Sequence, residues 1–196
     1  MLKRLFDIIA SFIGIVILLP FFLMICLIMI IACGLPLFYL QTRVGQNGVD
    51  FKLFKFRTMY LDADKKGLLT VGGRDPRVTG VGYYLRKYKL DELPQLFNVL
   101  FGSMSLVGPR PEVRKYVNMY NKEQQAVLSV KPGITDFASI EFINENDLLA
   151  KSSNPEETYI KEIMPAKLVL NLKYIEQKSY FVDVKIIFNT LLKIVK

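Results

Sequence analysis

The strongest constraint on this chain is a stretch without charge. No Asp, Glu, Lys or Arg occurs from Ile8 to Thr42, and residues 8–40 form an apolar run of 33 residues. As one straight helix that run would reach about 50 Å, beyond the roughly 30 Å hydrocarbon core of a bilayer. The 196 residues therefore divide into a membrane segment, residues 1–42, and a second domain, residues 43–196, long enough to enclose one hydrophobic core.

Two interruptions shape the segment. Pro20, in Leu18-Leu19-Pro20-Phe21, removes one helical hydrogen bond and crowds the preceding turn, which predicts a kink or break. Gly34-Leu35-Pro36 predicts a second. Lys3 and Arg4 precede the run; Arg43, Lys52, Lys55 and Arg57 follow it. The positive-inside tendency puts both flanks in the cytoplasm. A helix that enters, breaks at Pro20 and returns to the same face satisfies both. Two other routes remain open. One is a single tilted span over about residues 11–31. The other is an exported lipoprotein signal, with Cys33 of Ile30-Ile31-Ala32-Cys33 at the cleavage site.

The formal net charge is +8, and nearly all of the excess lies just after this segment. Residues 43–115 hold 14 Lys or Arg against 7 Asp or Glu, whereas residues 116–196 hold 10 of each sign. Such a stretch suits anionic lipid headgroups or a phosphorylated substrate. Acids interleave with the cations and no recognition motif is present, so no nucleic-acid partner is expected. The chain has no His, and both cysteines, Cys26 and Cys33, lie in the apolar run. Ser-His-Asp triads, His-bound zinc and thiol chemistry in the second domain are excluded. Carboxylates, Lys, Arg, Tyr and hydroxyls remain, with a hard oxygen-bound cation such as Mg²⁺.

Short apolar-aromatic runs at 37–44 and 49–57 flank Gly45-Gln46-Asn47-Gly48, which predicts a β-hairpin. Residues 62–77 read as a loop containing Gly67, Gly72, Gly73 and Asp75-Pro76; it lacks the Gly-Lys-Ser/Thr ending of a P-loop. Helices are expected over 81–90, 92–101, 111–129, 166–178 and 183–196, and loop over 144–157. The last helix collects Val184, Ile187, Phe188, Leu191, Leu192 and Val195 on one side, with Lys185, Lys193 and Lys196 nearby. That pattern fits a helix lying on a bilayer or one packed in a core. The expected fold class is α/β or α+β, a short sheet or hairpin with surrounding helices, several of them amphipathic and interface-lying.

The informative stretch is Arg86-Lys87-Tyr88-Lys89-Leu90-Asp91-Glu92-Leu93-Pro94. Proline is tolerated in a helix only in the first turn, so Pro94 places a helix start at about residues 91–93. Asp91 and Glu92 then occupy an N-terminus, where free N–H groups favour a carboxylate or hold a phosphate. Adjacent helical residues point about 100° apart, so the two carboxylates divide their work: one a nucleophile, the other a base or an organiser of ligands. Arg86, Lys87 and Lys89 would neutralise a phosphoryl group that a carboxylate repels. Taken alone, an Asp-Glu pair before a proline also fits two capping acids.

Leu90-Asp91-Glu92-Leu93-Pro94-Gln95-Leu96-Phe97-Asn98-Val99 resembles the signature of the bacterial sugar transferases, the monotopic phosphoglycosyl transferases. Phe54-Lys55-Phe56-Arg57-Thr58-Met59, Met104-Ser105-Leu106-Val107-Gly108-Pro109-Arg110-Pro111 and Lys131-Pro132-Gly133-Ile134-Thr135 match in order. Lys3-Arg4-Leu5-Phe6-Asp7 before the broken apolar helix is similar too. The resemblance implies transfer of a sugar-1-phosphate from a UDP-sugar to undecaprenyl phosphate with release of UMP, at the cytoplasmic face of the bacterial inner membrane. It implies Asp91 as nucleophile and Mg²⁺ ligand, Glu92 as its dyad partner, and Lys55, Arg86 and Arg110 as contacts of the donor or dyad. The Pro109-Arg110-Pro111 corner matches the segment for uridine. Oligomerisation is left open.

The chain departs from the family pattern at Leu19-Pro20, where many members have Ser-Pro. It departs again at Asp136-Phe137-Ala138-Ser139, where many have Gly-Leu-Ala-Gln. The second departure points to a different sugar or acceptor contact, with residues 144–157 the region expected to set sugar choice. The competing reading is a membrane-bound lipid- or nucleotide-binding protein without catalysis.

Overall fold

The computed structural model describes residues 2–63, 67, 69–72 and 75–195. Gly73, in the expected loop, and Lys196, in the expected last helix, lie outside them. The apolar run forms one helix, α1 (Leu2–Cys33), long and apolar enough to cross a membrane. It continues through Pro20, so of the kink or break expected there the break is absent. A mid-helix proline costs about 3 kcal/mol. Just beyond it Phe22, Ile25 and Met29 are buried against Phe56 and Leu85, at about 1.5–3 kcal/mol per side chain. Packing outweighs the proline. The second interruption falls where expected: the helix ends at Cys33, and Gly34 takes a φ of 65°.

One stripe of α1 (Asp7, Ser11, Phe22, Ile25, Met29) is buried along the domain, and the other faces leave Phe12, Ile17, Leu23, Leu27 and Ile31 exposed. Both ends are tied to the same body. Near the start, Lys3 pairs with Asp183, Arg4 donates to the carbonyls of Val99 and Leu100, and the Asp7 carboxylate accepts from the Leu106 N–H. At the far end Arg57 donates to the carbonyls of Cys33, Gly34 and Leu35, satisfying acceptors that a helix C-terminus leaves open.

The hairpin is as expected: β1 (Phe38–Val44) and β2 (Asp50–Phe56) pair antiparallel, with Phe38 opposite Phe56 and Val44 opposite Asp50. Asn47 and Gly48 take the positive φ the turn requires. Helix α2 (Gly80–Lys87) starts on Thr79, whose hydroxyl accepts from the Gly82 N–H. The helix expected from residue 92 starts later. Leu90–Glu92 form a 3₁₀ turn, Pro94 is the N-cap, and α3 runs Gln95–Phe101. Pro94 carries no N–H and needs none there, so the dyad is displaced one turn upstream of the helix proper.

Strands β3 (Ser105–Val107) and β4 (Gly133–Thr135) pair in parallel. Where Gly133 opens β4 and Gly108 follows β3 the two backbones touch, and a Cβ on Gly133 would lie 2.1 Å from the Gly108 nitrogen. The long helix expected over 111–129 is instead α4 (Arg114–Val117) and a separate 3₁₀ turn at Gln124–Ser129. The side-chain oxygens of Asn121 and Gln124 each accept from the other's main-chain N–H, a reciprocal cap that starts a new turn. Next come α5 (Phe137–Glu141), α6 (Glu145–Ala150) and α7 (Pro155–Thr158), so 144–157 is largely helical rather than loop. A π turn at Tyr159–Ile163 leads into α8 (Met164–Gln177), followed by α9 (Tyr180–Val195). The architecture is helices around two small two-stranded sheets. On α9, Ile186 is buried with Val107 and Tyr174, while Phe181, Val184, Phe188 and Leu191 remain exposed.

Candidate active site

Three segments converge on the dyad. The 3₁₀ turn carries Asp91 and Glu92, β2 carries Lys55, and the corner after β3 carries Arg110. Asn98 of α3 fixes the first two relative to each other. The residue is 2% exposed; its side chain accepts from the Phe54 N–H at 2.8 Å and donates to the Lys52 carbonyl at 2.7 Å. The corner is held by the close approach of Gly108 and Gly133 and by Asp136, fully buried, whose carboxylate accepts from the Arg110 N–H at 3.1 Å and from Ser139 N–H at 2.6 Å. Pro109 and Pro111 offer their carbonyls to Gly133 N–H and to Arg43.

Glu92 sits between two cations. Arg110 donates to both of its oxygens, Nη1 to Oε2 at 2.9 Å and Nη2 to Oε1, and Lys55 Nζ donates to Oε1 at 3.1 Å. Burial pushes the Glu92 carboxyl up, but Arg110 and Lys55 together hold it well below the usual glutamate range. Arg110 is held above its ordinary value by Glu92, and Lys55 is lowered by burial, which Glu92 opposes. Glu92 is thus an ionised organiser with its charge already engaged.

Asp91 is the opposite case. It is 7% exposed, and its carboxylate has no hydrogen-bond partner among the described residues. Burial and the neighbouring Glu92 push its carboxyl above the usual aspartate value, against the pull of Lys55, Arg86 and Lys89. Arg86 donates Nη2 to Thr70 Oγ1 at 2.7 Å, while its buried Nη1 has no partner among the described residues. Asp91, Glu92, Lys55, Arg86, Arg110 and Pro111 all line one cleft of about 920 Å³. Pro109 lines a smaller cavity beside it. Lys87 lies over the Tyr88 ring and outside the cleft.

Among the described residues no group of three or more His, Cys, Asp or Glu could cage a metal. Mg²⁺ is commonly held by one or two carboxylates plus substrate phosphates, and the unpartnered Asp91 carboxylate fits that mode. Sequence reasoning missed Asn98 and Asp136 as positioning residues. Asn98 stands in the quoted motif, and Asp136 in the departure from it.

A dyad at a turn, an arginine corner and a long apolar helix packed on the same body are joined by a sequence match. The family described as Bacterial sugar transferase matches residues 1–196. The chain belongs to this family. It is 35% identical over 193 residues to the UDP-N-acetylgalactosamine-undecaprenyl-phosphate N-acetylgalactosaminephosphotransferase of Aeromonas hydrophila, covering 97% of this chain and 43% of the relative. It is 36% identical over 197 residues to the UDP-glucose:undecaprenyl-phosphate glucose-1-phosphate transferase of Escherichia coli, covering 98% and 40%. It is 32% identical over 206 residues to the exopolysaccharide production protein ExoY of Rhizobium meliloti, covering 97% and 84%. The chain thus spans about two fifths of the first two of these family members.

Proposed function

We propose that this chain moves a sugar-1-phosphate from a UDP-sugar to undecaprenyl phosphate, by a ping-pong route through a phosphosugar ester of Asp91, and so initiates a membrane-linked glycan. The observation that carries this reading is the contrast within the dyad: Glu92 is engaged by Arg110 and Lys55, and Asp91 is buried, unpartnered and open to the cleft. The names of the relatives supply the donor and acceptor classes.

In the first step an Asp91 oxygen bonds the sugar-bearing phosphorus, the bond from that phosphorus to the bridging oxygen breaks, and UMP leaves. In the second, a phosphate oxygen of the acceptor bonds the same phosphorus and the Asp91 carboxylate is released. Arg86 Nη1, unpartnered among the described residues, is placed to donate to a phosphoryl oxygen. Glu92 holds Lys55 and Arg110 in place, and the Pro109-Arg110-Pro111 corner takes the uridine side. Mg²⁺, held by Asp91 and the donor's diphosphate, would neutralise charge on the phosphates and the leaving UMP.

The membrane arrangement belongs to the same proposal. A span crossing the bilayer leaves its ends on opposite sides, whereas both ends of α1 bind one domain. That supports a membrane segment whose two ends share one face, the cytoplasmic face of the inner membrane, where UDP-sugars are found; the turn back at Pro20 has no support in the unbroken helix. The exposed stripe of α9 supports a second contact with the interface.

The test is UMP release by detergent-purified protein with Mg²⁺, undecaprenyl phosphate and a panel of UDP-sugars, with Asp91→Ala as control. Release from one or two sugars, abolished by the substitution, is expected. Release unaffected by Asp91→Ala would overturn the nucleophile. No release from any sugar would overturn the reaction.

A further inference from the structure

The cleft that holds Asp91 continues past the dyad to the membrane helix. Phe6, Ala10, Gly14 and Leu18 of α1 line it at four-residue steps, along one side of the helix. Leu96 of α3 and Leu191 of α9 line it as well. Its volume, about 920 Å³, lies near the upper end of the roughly 300–1,000 Å³ of small-molecule pockets.

Its chemistry changes from one end to the other. At the dyad stand the Asp91 carboxylate, more than nine-tenths buried, and the Nη1 of Arg86, both without a hydrogen-bond partner among the described residues. Toward the other end the lining becomes mostly hydrocarbon, its Thr135 and Thr190 hydroxyls bonded to each other, and it borders the exposed apolar surfaces of α1 and α9, which the Lys3–Asp183 pair and the Phe6–Tyr180 ring contact hold side by side.

The helix is small where it faces this arm. Most of α1 is Ile, Leu, Phe, Val and Met, yet Ala10 and Gly14 stand at adjacent positions of the lining stripe. A Cβ on Gly14 would lie 3.6 Å from Leu96 Cδ1, already in van der Waals contact. Anything larger must push Leu96 aside or fill the arm.

We propose that this apolar arm, walled by Ala10 and Gly14, holds the first isoprene units of the polyprenyl phosphate acceptor and delivers its phosphate to the Asp91 intermediate. The inference rests on the transfer reaction proposed above. A phosphate head on a long hydrocarbon tail matches a cleft that is cationic and reactive at one end and open to lipid at the other. The tail enters between α1 and α9 without leaving the bilayer.

The test is steady-state kinetics on the full chain in nanodiscs, with Ala10→Leu and Gly14→Leu made separately and undecaprenyl phosphate varied at saturating UDP-sugar. A rise of at least tenfold in the acceptor KM, with the donor KM within twofold, is expected. A wild-type acceptor KM in both folded variants would overturn the groove. Because either variant could fail to fold, the wild-type protein is also photolabelled with a diazirine-bearing isoprenyl phosphate. Label on residues 6–18 or on Leu191 supports the groove, and label confined to other segments overturns it. Protection by phosphatidylglycerol as effective as by undecaprenyl phosphate would show an unselective lipid crevice and also overturn it. If wild-type protein releases no UMP from any UDP-sugar, the transfer reading itself falls. UMP release with an unmoved acceptor KM removes the groove alone.

Discussion

Arg110→Ala removes both guanidinium hydrogen bonds to Glu92 and leaves Lys55 Nζ, at 3.1 Å from Oε1, as the remaining cation. Losing one side of a buried pair costs about 3–5 kcal/mol, and single charge-assisted hydrogen bonds about 1.5–3 kcal/mol. The side chain of Arg110 is 33% exposed and that of Glu92 15%. Solvent therefore screens part of the loss, which brings it to about 2–3 kcal/mol. For a chain of this length that lowers Tm by about 4–12 °C.

The pH dependence has a definite sign. The Glu92 carboxyl lies well below its ordinary range in the folded protein. Its stabilisation is fully present above the ordinary glutamate value of about 4.3 and is lost as pH falls through the depressed folded value. Arg110→Ala brings the folded value back toward the ordinary one, so the gap between wild type and variant narrows on acidification. Near-UV circular dichroism melts in detergent between neutral pH and the acid limit of the fold measure both quantities. A Tm loss under about 2 °C, or a gap that widens in acid, would refute the reasoning about Glu92.

Asp91→Asn should leave Tm unchanged or raise it by a few degrees at neutral pH, because burial and Glu92 disfavour the ionised form of Asp91 and the amide removes that cost. Since the aspartate's folded value is raised, the cost is present at neutral pH and disappears in acid, so the two melts should converge as pH falls. Asn98→Ala should cost about 2–3 kcal/mol, because it strands the Phe54 N–H and the Lys52 carbonyl. With Lys55 no longer aimed at Glu92, kcat for UMP release should fall at least tenfold while the donor KM moves little.

The long apolar helix, the hairpin and the approximate place of a helix start beside Asp91 and Glu92 were legible because each rests on local chemistry: a run without charge, a glycine-asparagine turn between alternating strands, a proline at the head of α3. What failed is just as physical. Pro20 was read for its local cost, and the burial of Phe22, Ile25 and Met29 that outweighs it is a tertiary effect. The pairing of β3 with β4 joins three-residue strands far apart in sequence, and only the mutual need of Gly108 and Gly133 for close approach hints at it. Residues 111–129 keep an apolar spacing close to a helix, but Asn121 and Gln124 cap each other and start the chain again. Asn154-Pro155-Glu156-Glu157 was readable as a helix start, since Asn154 caps the Glu157 N–H and Pro155 sits in the first turn. The segment's overall polarity obscured that signal. At the site, the type of each side chain was visible but its partner was not. Nothing in Asp91-Glu92 says that the glutamate is the one engaged by cations.

The most direct test of the central claim is the intact mass of the protein after incubation with an accepted UDP-sugar and Mg²⁺ and no acceptor, followed by peptide mapping. The expected result is one added sugar-phosphate per chain, on the peptide carrying Asp91, absent from Asp91→Asn and discharged by undecaprenyl phosphate. A burst of UMP with no adduct, or an adduct on Glu92, would contradict it.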